Sequence, residues 1–243
     1  MKKILFVIIF LSINTLLVFC SGTDNQKLKI TGEFKLKVPE PSGLALTKDG
    51  KHLWTVSDQN STVYLISLKG KIEKKFVVNA EDLEGVEVIN DSTLAVISER
   101  SGEILLLNKN GIEIARKKLA FDGKDNMGPE GISFNPKNNH YFIVKEKNPK
   151  ILIELDEKFK EIKRTNIKFA DDLSGLDFSS KLNSLWMISD ESKMIAKCDV
   201  AGNILEKYKV RIEQIEGIAV DETNKKIYIV SDKEEKLYVL EIK

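Results

Sequence analysis

Short apolar runs recur along this chain at a nearly constant interval, each punctuated by polar turn residues. A glycine opens the first run of each copy, at Gly43, Gly85, Gly131, Gly175 and Gly217, with spacings of 42, 46, 44 and 42 residues. A polar-acidic pair follows each glycine by 13 or 14 residues: Ser57-Asp58, Ser98-Glu99, Lys145-Glu146, Ser189-Asp190 and Ser231-Asp232. In the first copy the runs 43–46, 53–56, 63–68 and 72–78 read as four strands, separated by Gly, Asp, Asn and Ser. β-Branched and aromatic runs between such residues are strand-and-turn chemistry. The first three runs are almost wholly apolar, as in sheets covered on both faces. The fourth alternates and carries lysine, which protects an exposed edge from pairing with another chain. A strand repeat of 40–45 residues predicts a β-propeller, one blade per copy.

The fifth copy supplies only three strands before the chain stops at Lys243. Residues 28–36 show the same alternating, lysine-bearing pattern as the outer strands and precede the first copy. Placed beside the last three strands, they complete the fifth blade and remove two open edges. The expectation is an all-β, five-bladed propeller over residues 28–243, with four-stranded antiparallel blades and an N-terminal strand closing the ring. No segment of helical period occurs in it.

Charge adds mainly exclusions. The chain has 38 basic and 37 acidic residues, and loss of Lys2 and Lys3 with a leader leaves 36 against 37. No basic stripe with interleaved aromatics appears, so nucleic acid is not an expected partner. The leader is the pattern that sets location. Met1-Lys2-Lys3 precedes an apolar stretch at 4–19, the form of a secretory signal, with a retained membrane anchor as the rival. Leu17-Val18-Phe19-Cys20 resembles the bacterial lipoprotein cleavage box, although a small residue is usual where Phe19 stands. Cys20 is then the lipidated residue, 1–20 the signal peptide and 21–27 a polar tether. Ordinary cleavage near Ser21-Gly22 is the other outcome. The expected location is the bacterial cell envelope, in the periplasm or at the surface, with membrane attachment through the lipid and a monomeric ring. Cys198 falls in a third strand and reads as packing.

Strand direction locates the chemistry. The first strand starts at one face, here called the top, and the second returns to it. The first strand also lines the axis, so residues just before each glycine converge on the channel mouth. These are Ser42, Glu84, Glu130, Ser174 and Glu216. Glu40, Asp82, Gly128, Asp172 and Gln214 stand two positions earlier, and Asp58, Glu99, Glu146, Asp190 and Asp232 lie further out. Converging carboxylates repel unless a positive charge joins them. Hard cations such as calcium take six to eight oxygens. A residue serving structure alone should recur in every copy, and the Glu/Ser alternation does not. Glu84, Glu130 and Glu216 are therefore the expected metal ligands. The Ser-Asp pairs are expected to bond their own turns. No HExxH, Cys-x-x-Cys, Gly-x-Ser-x-Gly or phosphate-cradling loop is present.

The phrases Glu40-Pro41-Ser42-Gly43, Asp82-Leu83-Glu84-Gly85, Gly128-Pro129-Glu130-Gly131, Asp172-Leu173-Ser174-Gly175 and Gln214-Ile215-Glu216-Gly217 resemble the SdiA-regulated (YjiK-like) bacterial family. So do Trp54-Thr55-Val56-Ser57-Asp58 and Trp186-Met187-Ile188-Ser189-Asp190, motifs shared with NHL-repeat propellers. The resemblance implies a five-bladed propeller, an exported or membrane-attached location and a calcium site. It implies no reaction. The function expected is a binding module that takes calcium at the top face and presents that face to a partner. The alternative is a metal-dependent hydrolase of lactonase, esterase or phytase type, in which the ion activates water and a spare carboxylate acts as base.

Overall fold

The computed structural model describes residues 28–120 and 128–242. The leader, Cys20 and the tether lie outside the described residues. The chain enters at β1 (Lys29–Lys35). The first blade is β2 (Pro41–Leu46), β3 (His52–Ser57), β4 (Thr62–Ser67) and β5 (Ile72–Val77). The second is β6 (Leu83–Val88), β7 (Thr93–Ser98), β8 (Glu103–Asn108) and β9 (Glu113–Lys118). The third is β10 (Pro129–Asn135), β11 (His140–Lys145), β12 (Ile151–Leu155) and β13 (Glu161–Asn166). The fourth is β14 (Gly175–Ser179), β15 (Ser184–Ser189), β16 (Met194–Asp199) and β17 (Ile204–Lys209). β18 (Ile215–Asp221), β19 (Lys226–Ser231) and β20 (Lys236–Glu241) form the fifth with β1, in the order β1-β20-β19-β18. The five-bladed, all-β propeller closed by an N-terminal strand is thus the fold observed. The closing pair is antiparallel, from Lys29 opposite Glu241 to Lys35 opposite Lys236.

The core lies between blades. The described residues form five apolar clusters, each spanning two adjacent blades. Trp54, Phe142, Trp186 and Tyr228, at matching second-strand positions, are each at most 2% exposed and belong to these clusters. They are packing residues, as their recurrence predicts. Fully burying an apolar side chain stabilises by about 1.5–3 kcal/mol, so no blade is stable without its neighbours. β9 and β13, the lysine- and arginine-bearing outer strands, stay almost wholly exposed.

The repeated glycine sets how closely the inner strands approach. A β-carbon on Gly85 would stand 2.8 Å from the carbonyl oxygen of Glu130 in the next blade, and one on Gly175 would stand 2.8 Å from that of Glu216. At Gly217 the same atom would meet the Gly43 carbonyl carbon at 2.7 Å, across the point where the ring closes. Real β-carbons do not come so near backbone, so these positions exclude side chains because five strands crowd one axis.

Candidate functional site

Three β-bulges aim the predicted glutamates. In β6, Leu83 pairs with Ser98 and Gly85 with Ile97, which leaves Glu84 as the extra residue. In β10, Pro129 pairs with Lys145 and Gly131 with Val144, leaving Glu130. In β18, Ile215 pairs with Ser231 and Gly217 with Val230, leaving Glu216. A bulge adds one unpaired residue and re-aims its side chain. The two serine blades differ: in β2 the extra residue is Gly43, and β14 pairs without a shift. Ser42 Oγ donates to Glu84 Oε2 (2.7 Å), and Ser174 Oγ donates to the Ile215 carbonyl (2.6 Å). The serines thus tie neighbouring blades, while the glutamates face the axis.

All three glutamates line one cavity of about 360 Å³ at the top of the channel. Below it the glycine ring narrows the axis to a space of about 10 Å³. Eleven carboxylates line the upper cavity against one ammonium, Lys147, and no apolar side chain is among them. Glu130 is 8% exposed and has no hydrogen-bond or ion-pair partner among the described residues. Desolvation raises its pKa well above the ordinary carboxylate range, and the charges of Glu84, Glu99, Glu146 and Glu216 add to the rise. Glu216 is raised well above that range by desolvation, then by Glu84, Asp190, Asp232 and Asp172. Desolvation pushes Glu84 up to about 8 against the opposing Ser42 bond, with Asp58, Glu99 and Asp82 adding repulsion.

The closest carboxylate grouping differs from the set chosen on sequence. One ligand oxygen from each of Asp82, Glu84 and Glu99 lies within 4.8 Å of the others. Glu99 directly follows β7 and accepts the Gly128 N–H (2.7 Å), and Asp82 sits 3.4 Å from Arg100 Nε. Sequence reading placed Asp82 and Glu99 on the top face but not as a unit with Glu84. The shared blade was the available signal.

The rest of the rim divides into side chains that hold loops and carboxylates crowded against one another. Ser57, Ser189 and Ser231 accept N–H groups of their own turns, as expected, and Ser98, Ser189 and Ser231 also donate to the loop before the first strand of their blade, which was not. Asp172 accepts the N–H groups of Asp190 (3.2 Å) and Glu191 (3.1 Å) and is a loop cap. Asp58 is pushed up to about 7 by desolvation, then by a hydrogen bond shared with the Glu40 side chain and by the charges of Glu40 and Asp232, against the opposing Gln59 N–H, and its Oδ1 is buried without a donor of its own. Lys147 Nζ lies 2.8 Å from Glu146 and 2.8 Å from Glu191, bridging the third and fourth blades. Cys198 is fully buried and its thiol is pushed up to about 12, which fits packing and not nucleophilic chemistry.

A second acidic group lies lower on the inner strands. Ser133 Oγ donates to Glu87 Oε2 (2.6 Å) and accepts from the Phe178 N–H (2.9 Å). Glu87 also accepts from Phe134 N (3.2 Å), and Asp177 accepts from Val220 N (2.7 Å). These bonds stitch the second, third, fourth and fifth blades together. Sequence reading missed them. Their signal was a carboxylate two positions after the glycine, inside otherwise apolar strands.

The family model described as SdiA-regulated matches residues 24–241. Among solved structures, the glutaminyl cyclase of Myxococcus xanthus superposes with a TM-score of 0.70 at 13% identity, covering 90% of this chain and 98% of that one. A streptogramin B lyase superposes with a TM-score of 0.51 at 17% identity, covering 88% of this chain and 73% of that one. At these identities the likeness is one of fold.

Proposed function

The chain belongs to the SdiA-regulated family, and from that footing we propose that it is an exported binding module that takes calcium at the mouth of its central channel. The observation that carries the reading is Glu130: a bulged, buried glutamate with no partner among the described residues, opening into a cavity it shares with Glu84 and Glu216. Like charges held this close are costly without a cation between them. The donors are all oxygen, which suits a hard ion. Glu84, Glu130 and Glu216 would hold it, with Asp82 and Glu99 adjoining Glu84. Calcium is favoured over magnesium because a wide ring of carboxylates on separate blades suits a large, flexible coordination sphere. The leader pattern supports export and attachment to the cell envelope through Cys20. The top face would then be presented to a partner away from the membrane.

The deciding experiment is a calorimetric titration of metal-stripped protein, with melting followed in parallel. Binding to the folded state alone stabilises by about 2.7 kcal/mol at a hundredfold excess over Kd. Calcium is expected to raise the melting temperature more than magnesium, a chelator to reverse the gain, and Glu130→Gln to blunt it. A flat titration together with no chelator effect would overturn the reading.

A further inference from the structure

The upper cavity is much larger than an ion. At about 360 Å³ it reaches the lower end of small-molecule sites, which span roughly 300–1,000 Å³. Two positive charges answer only a small part of a wall holding eleven carboxylates. The wall also contains one worked case of how it receives a cation. The Lys147 ammonium sits between Glu146 and Glu191, 2.8 Å from each, joining carboxylates of adjacent blades. Two other positions have acceptors of the same kind and no such cation among the described residues. One is the floor, where Glu130 is buried and partnerless. The other is the rim, where Asp58 shares a hydrogen bond with Glu40 and takes the Gln59 N–H, stands near Asp232, and keeps its Oδ1 buried without a donor.

We infer that this cavity binds a free aliphatic oligoamine, a flexible chain with ammonium groups a few methylenes apart, one seated on Glu130 and another at the Asp58 rim. An ammonium has donors and no acceptor, which matches a wall made almost wholly of acceptors. With no apolar side chain in that wall, affinity comes from charge and is salt-sensitive. A lysine in a partner protein brings one ammonium tied to a backbone, whereas a free oligoamine reaches floor and rim together. The inference rests on the cavity being a cation site and not on calcium being the cation, because an ammonium seated on Glu130 takes the place calcium would hold there.

The test is calorimetry of the mature protein with spermidine, butylamine, a trilysine peptide and calcium at matched ionic strength. Spermidine is expected to bind once per chain and more tightly than butylamine. Glu130→Gln and Asp58→Asn should each weaken it about tenfold, close to the worth of one charge-assisted contact. Lys147→Met removes the one ammonium of the wall and, by raising the cavity's negative charge, should tighten it. Several weak equivalents indifferent to these changes would mean diffuse attraction and would overturn the inference. Trilysine binding as tightly as spermidine would overturn it too, in favour of a protein segment. Should Glu130→Gln fail to fold, Asp58→Asn at the rim still decides, because unchanged spermidine affinity there sinks the inference. Calcium binding without spermidine binding defeats this inference alone, and the reverse defeats only the calcium reading.

Discussion

Gly85 and Glu130 belong to adjacent blades, yet a β-carbon on the glycine would stand 2.8 Å from the glutamate's carbonyl oxygen. The same approach that packs the inner strands therefore fixes the backbone from which the Glu130 carboxylate enters the cavity. Gly85→Ala must push β10 away from the axis. Overpacking of this kind costs about 1–3 kcal/mol. That loss is expected in urea denaturation, together with weaker cation binding. Gly50→Asn is the control: nothing lies within 4 Å of Gly50, and its φ of +68° is one that asparagine tolerates. Equal stability of the two variants would show that the ring tolerates a side chain at Gly85.

Closure of the ring by β1 gives the second expectation. Leu36, just past that strand, is 1% exposed and packs with Leu53, Tyr64 and Leu237, residues of the first and fifth blades. Leu36→Ala should cost about 2–5 kcal/mol. Deletion of residues 28–36 should lower the melting temperature of the whole domain in one transition, because it uncovers an edge of β20 and opens a core cluster. A truncated protein melting like the full one would mean that closure adds nothing to stability.

The fold was legible because a blade cannot hide its composition: three apolar runs, one charged run and a crowded glycine return about every 44 residues. The outer-strand pattern at 28–36 had one vacancy to fill, and it fills it. The glutamates were legible as positions, but the device that aims them was not. A bulge is a mismatch between two strands, and Glu84 becomes the extra residue only through the pairing of Leu83 with Ser98 and Gly85 with Ile97. The Asp82–Glu84–Glu99 grouping depends on where two strand ends meet after twisting. Lys147 between Glu146 and Glu191 depends on the spacing of two blades. Glu87 and Asp177 are different: a carboxylate in an apolar inner strand is visible in the sequence, but the Ser133 hydroxyl and the Phe134 and Val220 N–H groups that receive it come from other blades.

Anchoring through Cys20 is open to a direct assay. In a bacterial host, Cys20→Ser is expected to move the protein from the membrane fraction to the soluble exported fraction. One acyl chain alone gives only marginal membrane binding, so the native protein should resist washing only if the full lipid modification is present. Unchanged partitioning of the variant would point to a retained apolar segment in place of a lipid.

The lower acidic group gives a pH dependence of fixed sign. Desolvation pushes Glu87 up to about 7, with Asp177 adding to the rise and Ser133, Lys48 and the Val88 N–H opposing it. Asp177 is pushed up to about 6 by desolvation, opposed by the N–H groups of Val220 and Phe178 and by Ser133, with Glu222 adding repulsion. A carboxyl whose pKa is higher folded than unfolded holds its proton more tightly in the folded chain. Its contribution is therefore fully present below the ordinary value of 4.5 for Glu87 and 3.8 for Asp177, and is lost as pH rises through about 7 and about 6. One pKa unit corresponds to about 1.4 kcal/mol, and with partial solvent screening the pair is expected to cost on the order of 1–3 kcal/mol in mildly alkaline buffer. Glu87→Gln keeps an acceptor for Ser133 Oγ and Phe134 N, turns its amide NH2 toward the Val88 N–H that Oε1 now accepts, and cannot ionise. It should stabilise the protein near pH 8.5 and be neutral or slightly costly near pH 5, a crossing set by the linkage sign. The measurement is urea denaturation of native and variant proteins at both pH values with a chelator present. The upper carboxylates then contribute equally to both chains, and the difference reports Glu87 together with its repulsion of Asp177. A difference that does not change with pH would mean that Glu87 titrates in the ordinary range and that the inter-blade stitch carries its charge without cost.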